Sequence, residues 1–148
     1  MISVHWFLLW YLLLAVLLTT VLACITQSGF NLAAIAALTG GVAAGDIAAT
    51  VWFDLTHFSL TYAPIALVNL LVAAVLLHYL PLLRQFWLAA VLGAVVLYLM
   101  LLIINTIAPM PTLIAATRSN GGIISMLLCS SAGMLGYIWL LKRRKYYA

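Results

Sequence analysis

The stretch "NLAAIAALTGGVAAGDIAATVWF", residues 31–53, decides how many times this chain crosses a membrane. It is long enough to span, since about 20 residues at 1.5 Å each cover roughly 30 Å of hydrocarbon. It is also built from alanine and glycine and carries Asp46, so its hydropathy is marginal. Gly41 and Gly45 form a GxxxG step, which lets a second helix approach closely inside a bilayer. A helix lying in the interface would want Lys or Arg on its polar face, and this stretch has neither. These features favour a span.

Outward from that stretch the chain is easier to read. Four strongly hydrophobic segments lie at roughly 4–25, 62–80, 86–108 and 121–141. The expected fold is therefore all-α, a polytopic transmembrane bundle with five spans and a single integral membrane domain over 1–148. Its rival has four spans plus a re-entrant or interfacial helix at about 31–58. The breaks expected between spans are "TQSGFN" at 26–31, "LPLLRQ" at 80–85, and "APMPTLIAATRSNGG" at 108–122, each rich in Gly, Pro or polar side chains.

Composition supports the same class. The chain is 68% hydrophobic and 5% charged, with a mean hydropathy of +1.29, too little polar surface to cover a water-soluble globule. Four of its six basic residues form the run Lys142, Arg143, Arg144, Lys145 directly after the last apolar segment. Such a run reads as an anchor on anionic lipid headgroups, which makes the bilayer the partner and excludes nucleic acid. Placing it in the cytoplasm puts Arg84 on the same side and leaves Arg118 outside, a five-to-one bias. Five spans then place the amino terminus outside, and four place it with His5 in the cytoplasm. A bacterial inner membrane fits this pattern.

The chain's two acidic residues, Asp46 and Asp54, both fall within "GDIAATVWFDLTH". On a regular helix Thr39, Asp46, Thr50, Asp54, His57 and Thr61 form one polar stripe, expected to face the bundle interior. If the second span ends near Phe53, Asp46 lies about 12 Å deeper than Asp54, and Asn69 on the next span falls at its depth. Asp46, Thr50 and Asn69 are thus a candidate ion or proton site, because an ionisable group in hydrocarbon is costly unless paired or wetted. Asp54, His57, Asn105 and Arg118 are expected to gather as an outer polar cluster, with an Asp54–Arg118 ion pair as its plain structural role. Gly133 and Gly136 join Gly41 and Gly45 as helix-packing positions.

Other chemistry is thin. Cys24 and Cys129 are expected at different depths and unbonded. His57, His5 and His78 are too scattered for zinc, which wants three or four ligands, and no cofactor is implied. Trp6, Trp10, Trp52, Trp87, Trp139, Tyr146 and Tyr147 mostly mark span ends, as in an aromatic belt. Three functions remain: an accessory or structural subunit of a larger membrane assembly, a small proton- or cation-conducting homo-oligomer using Asp46, and a membrane enzyme acting on a lipid or quinone through Asp54 and His57.

Overall fold

A computed structural model describes residues 6–107 and 114–146; His5 and Tyr147 lie outside them. Among the described residues the fold is all-helical: α1 (Trp6–Thr39), α2 (Ala44–Phe53), α3 (Ser59–Tyr79), α4 (Phe86–Ile107) and α5 (Asn120–Arg143). A π-helical turn, Asp54–Phe58, joins α2 to α3 without interruption, so Ala44–Tyr79 is one rod of 36 residues. Among the described residues four helices are therefore long and apolar enough to cross a membrane, where five were expected.

The difference arises at two short segments. "TQSGFN" was expected to break the chain, yet it lies inside α1, which runs for 34 residues. Its polar side chains do not need water: Gln27 and Ser28 point inward and find partners there. The true turn is at Gly40 and Gly41, inside the stretch expected to span. Gly40 has φ +78°, a left-handed conformation that ends helices and costs a residue with a Cβ about 1–2 kcal/mol. The Thr39 hydroxyl lies 2.7 Å from the Gly41 carbonyl and closes the turn. Residues 31–53 are thus split between the end of α1 and the whole of α2.

Around the bundle the neighbours run α1, α5, α4, α3 and back to α1. Lys142 lies 4.3 Å from the centre of the Phe86 ring, and Arg144 lies 5.2 Å from that of Phe7. The start of α1, the start of α4 and the end of α5 thus share one end, here termed the basic end. At the same end Arg84, in the 3-10 turn Pro81–Arg84, donates to the last carbonyls of α3: Nη2 to His78 at 2.8 Å and Nε to Leu77 at 3.2 Å.

Close helix contact is made at glycines. A Cβ on Gly133 would overlap Thr19 Oγ1 and meet the Ala15 carbonyl at 3.1 Å. One on Gly93 would meet Met134 Cβ at 2.9 Å and the Ser130 carbonyl at 3.0 Å. At Gly136 the nearest atom, Leu18 Cδ2, is at an ordinary 3.5 Å. Gly41 and Gly45 have nothing within 4 Å, so their spacing does not bring another helix close within this chain.

Lengths show what the bundle leaves out. At 1.5 Å per residue α1 extends about 51 Å and the Ala44–Tyr79 rod about 54 Å, against roughly 30 Å of hydrocarbon. The buried positions of α1 stop at Ser28, and α2 has none. The last third of α1 and all of α2 therefore stand beyond the packed bundle as a helical hairpin.

Candidate functional site

At the base of that hairpin, opposite the basic end, the polar side chains of the core collect. Asp54 opens the π turn, where the Ser59 N–H reaches back five residues to the Asp54 carbonyl. Such widened turns often occur where a side chain is held in a particular place. Pro64 follows in α3 and lacks the N–H that the Leu60 carbonyl would otherwise receive. The Asp54 side chain is only 7% exposed, and its carboxylate accepts a hydrogen bond from Ser28 Oγ at 2.6 Å. One residue earlier on α1, Gln27 Oε1 accepts the Ala116 N–H at 2.9 Å. Adjacent residues of α1 thus hold the π turn on one side and the 3-10 turn Ala115–Arg118 on the other.

Below Asp54 the polar core continues. Cys24 lies within electrostatic reach of Asp54, and Tyr62 within reach of both Cys24 and Cys129. Cys129 Sγ is 3.4 Å from Thr26 Oγ1, so the two cysteines sit at similar heights rather than at different depths; both are free thiols. The reason is that α1 crosses the bundle once and runs antiparallel to α5. Asn69 Nδ2 donates to Ser130 Oγ at 2.6 Å, and Ser130 Oγ donates to the Gly93 carbonyl at 2.8 Å, tying α3, α5 and α4 together. Ser131 Oγ adds a bond to the Ala90 carbonyl at 2.9 Å.

The polar core covers half the bundle. Thr19 Oγ1, Thr20 Oγ1, Tyr62 OH and Asn69 Oδ1 are buried without a hydrogen-bond partner among the described residues. Towards the basic end the buried side chains include Leu12, Ala15, Val16, Ala73, Leu77, Ala89, Met134, Ile138 and Leu141, with Tyr137 a polar member among the described residues. An apolar plug therefore separates the hydroxyl-rich half from the basic end.

The expected Asp46, Thr50 and Asn69 site is not assembled within this chain. Asp46 and Asn69 lie on the same continuous rod, 23 residues and about 35 Å apart, so they cannot meet. Because the turn falls at Gly40, α2 runs towards the bundle, and Asp46 lies about 12 Å farther out than Asp54 rather than deeper. Asp46 is exposed, in the first turn of α2, where its charge complements the positive end of the helix dipole. Thr50 is half-buried on the same arm. Asn69 serves the Ser130 clasp instead.

The outer cluster is only partly gathered. Asp54 is buried and accepts a hydrogen bond from Ser28. His57 is exposed on the other side of the rod, stacked on Phe53 at 4.3 Å and with Nδ1 2.8 Å from Thr56 Oγ1. The π turn explains this: its extra residue breaks the regular 100° progression that had put His57 and Thr61 on the same face as Asp54. Asn105 and Arg118 are exposed at the same end of the bundle.

Composition had marked neither Ser28, Gln27, Tyr62 and Ser130 nor Gly93 as site residues. Their signal was geometric: small or polar residues at helical spacing on faces that turn inward. Among the described residues no group of three or more His, Cys, Asp or Glu is placed to hold a metal ion. These features define an integral membrane protein of the helical-bundle class, with a polar half-core and a projecting apolar hairpin. No protein-family model, curated protein or solved structure matches the chain.

Proposed function

We propose that this protein is an accessory or structural subunit of a larger membrane assembly, and that the hairpin of residues 29–53 is its contact with a partner subunit. The hairpin's outer surface carries the argument. Leu38 is 88% exposed and Trp52 is 70% exposed, with Ile35, Ile47 and Phe53 also open. A helix that is apolar all round is stable only when buried, and because α1 and the Ala44–Tyr79 rod are each longer than the bilayer is thick, the hairpin at their ends has to be covered beyond it. Asp46, near the tip, gives that surface one charge for a partner's cation. The polar half-core acts as a clasp within the bundle that holds the hairpin's base.

Topology belongs to the same reading. Four crossings would put the start of α1 and the end of α5 on one side; the basic run favours the cytoplasm for that side, and a bacterial inner membrane fits this orientation. The hairpin then stands on the opposite face. A fifth crossing by residues 31–53 would need the Gly40–Gly41 turn to open in the assembly.

The test joins mass and position. With a photocrosslinking residue at Leu38 or Trp52, the protein purified in mild detergent is expected to link to a different membrane protein in fixed stoichiometry, at a native mass above its own. A monodisperse monomer that retains its full function would overturn the reading. Self-crosslinks alone, with vesicle proton or cation flux lost in Asp46→Asn, would transfer the conclusion to the conducting homo-oligomer. Turnover of a lipid or quinone that depends on His57 would favour the enzyme.

A further inference from the structure

A separate feature lies at the other end of the molecule and does not depend on the subunit reading. Between α1 and α3, a cleft of about 340 Å³ opens sideways near the basic end, walled by Leu8, Leu12, Leu71, Ala74, Val75 and His78. That volume is at the low end of the roughly 300–1,000 Å³ of small-molecule sites. Leu71 and Val75 at its rim are exposed, so the opening faces the surroundings of the bundle, which in a membrane are acyl chains.

Two guanidiniums lie at the basic-end termini of the helices that wall this cleft. Arg84 is bound to the carbonyls of Leu77 and His78, at the end of the α3 wall. Arg144 lies over Phe7, next to Leu8 on the α1 wall. The two walls therefore each end in a guanidinium. The His78 ring packs edge-on against Tyr79 at 5.4 Å and makes no hydrogen bond through its nitrogens to a described residue. Both acidic side chains of the chain lie towards the hairpin end, and no acidic side chain lies at this one among the described residues.

From this geometry we infer that the α1–α3 cleft is a binding site for one anionic phospholipid. An acyl chain lies along Leu12, Leu71 and Ala74, and the phosphate sits at the mouth between Arg84, Arg144 and His78. The apolar walls select a chain, and the paired cations select the headgroup charge. This differs from a general attraction of the basic tail to the surface, because it holds one lipid at one place.

Native mass spectrometry of the full chain in detergent tests it, with phosphatidylglycerol and phosphatidylcholine of identical chains as probes. One phosphatidylglycerol per chain is expected to be retained about tenfold better than phosphatidylcholine, the weight of one to two cations near an anionic headgroup. Arg144→Gln together with His78→Ala is expected to remove most of that preference. Ala74→Trp, which fills the cleft, is expected to abolish retention of both lipids; if it does not fold, Leu71→Trp at the rim provides the same block. Equal retention of the two lipids, or phosphatidylglycerol retention unchanged when the cleft is filled, would overturn the proposal. Retention of a quinone in place of phospholipid would do the same.

Discussion

Adding one methyl group at Gly133 tests the packing of α1 on α5. The new Cβ of Gly133→Ala would overlap Thr19 Oγ1 and press on Thr19 Cβ at 3.2 Å and the Ala15 carbonyl at 3.1 Å. Threonine is β-branched and stiff at χ1, so the hydroxyl is not easily swung away, whereas the contacts with the Thr19 Cβ and the Ala15 carbonyl are tight by only a few tenths of an ångström. Overpacking of this kind costs about 1–3 kcal/mol. The same substitution gains about 1 kcal/mol of helix propensity, so the net loss is about 0–2 kcal/mol. Thr19→Ala removes the overlapping oxygen, which is itself buried without a partner, and so costs little alone. In that background Gly133→Ala is expected to become neutral or stabilising. A double-mutant cycle in reversible SDS-induced unfolding from mixed micelles then gives a coupling of about 1–2 kcal/mol between the two sites. Coupling below about 0.5 kcal/mol would refute the close crossing of α1 and α5 at this level.

Other perturbations have distinct signatures. Ser28→Ala removes the hydroxyl that Asp54 accepts from and is expected to destabilise by about 1–3 kcal/mol in the same unfolding assay, with the Ser28→Ala/Asp54→Leu pair recovering most of the loss. Ser130→Ala leaves Asn69 Nδ2 and the Gly93 carbonyl without their bonds and costs about 1–3 kcal/mol, whereas Asn69→Leu, which also removes the orphan Oδ1, shifts stability by less than about 1 kcal/mol. Equal losses in the two would contradict the directions assigned to those bonds. Gly40→Ala is expected to destabilise by about 1–2 kcal/mol because of the positive φ, while Gly45→Ala, with open space around it, is neutral or mildly favourable. Asp46→Ala leaves the unfolding transition of the isolated chain nearly unchanged; a large loss would mean that Asp46 is buried after all.

Much of the bundle was legible from hydropathy and punctuation. The segments expected at 86–108 and 121–141 match α4 and α5 to within about two residues at each end, because Pro81, the proline- and glycine-bearing stretch 108–122 and the basic run bound them sharply in the sequence. The error lay where composition is ambiguous. A glycine pair in an apolar helix reads equally as a packing step and as a turn, and only its dihedral angles distinguish the two. Gln27 and Ser28 likewise read as loop residues until their buried partners on the π turn and at Ala116 are known. Moving the turn from 26–31 to 40–43 reversed the direction of residues 44–53, and with it the depth order of Asp46 and Asp54. The π turn was not legible either: no residue type demands it, and its effect on His57 follows from one extra residue in the register.

That extra residue has a mechanical meaning. Winding the same five residues, Asp54–Phe58, as ordinary α-helix with none deleted would turn everything upstream by about 100° relative to the membrane-spanning half. Trp52, Ile47 and Asp46 would then look in another direction, although their chemistry and the fold below would be unaltered. The azimuth at which the arm greets its neighbour is thus encoded in how five residues wind rather than in the arm itself.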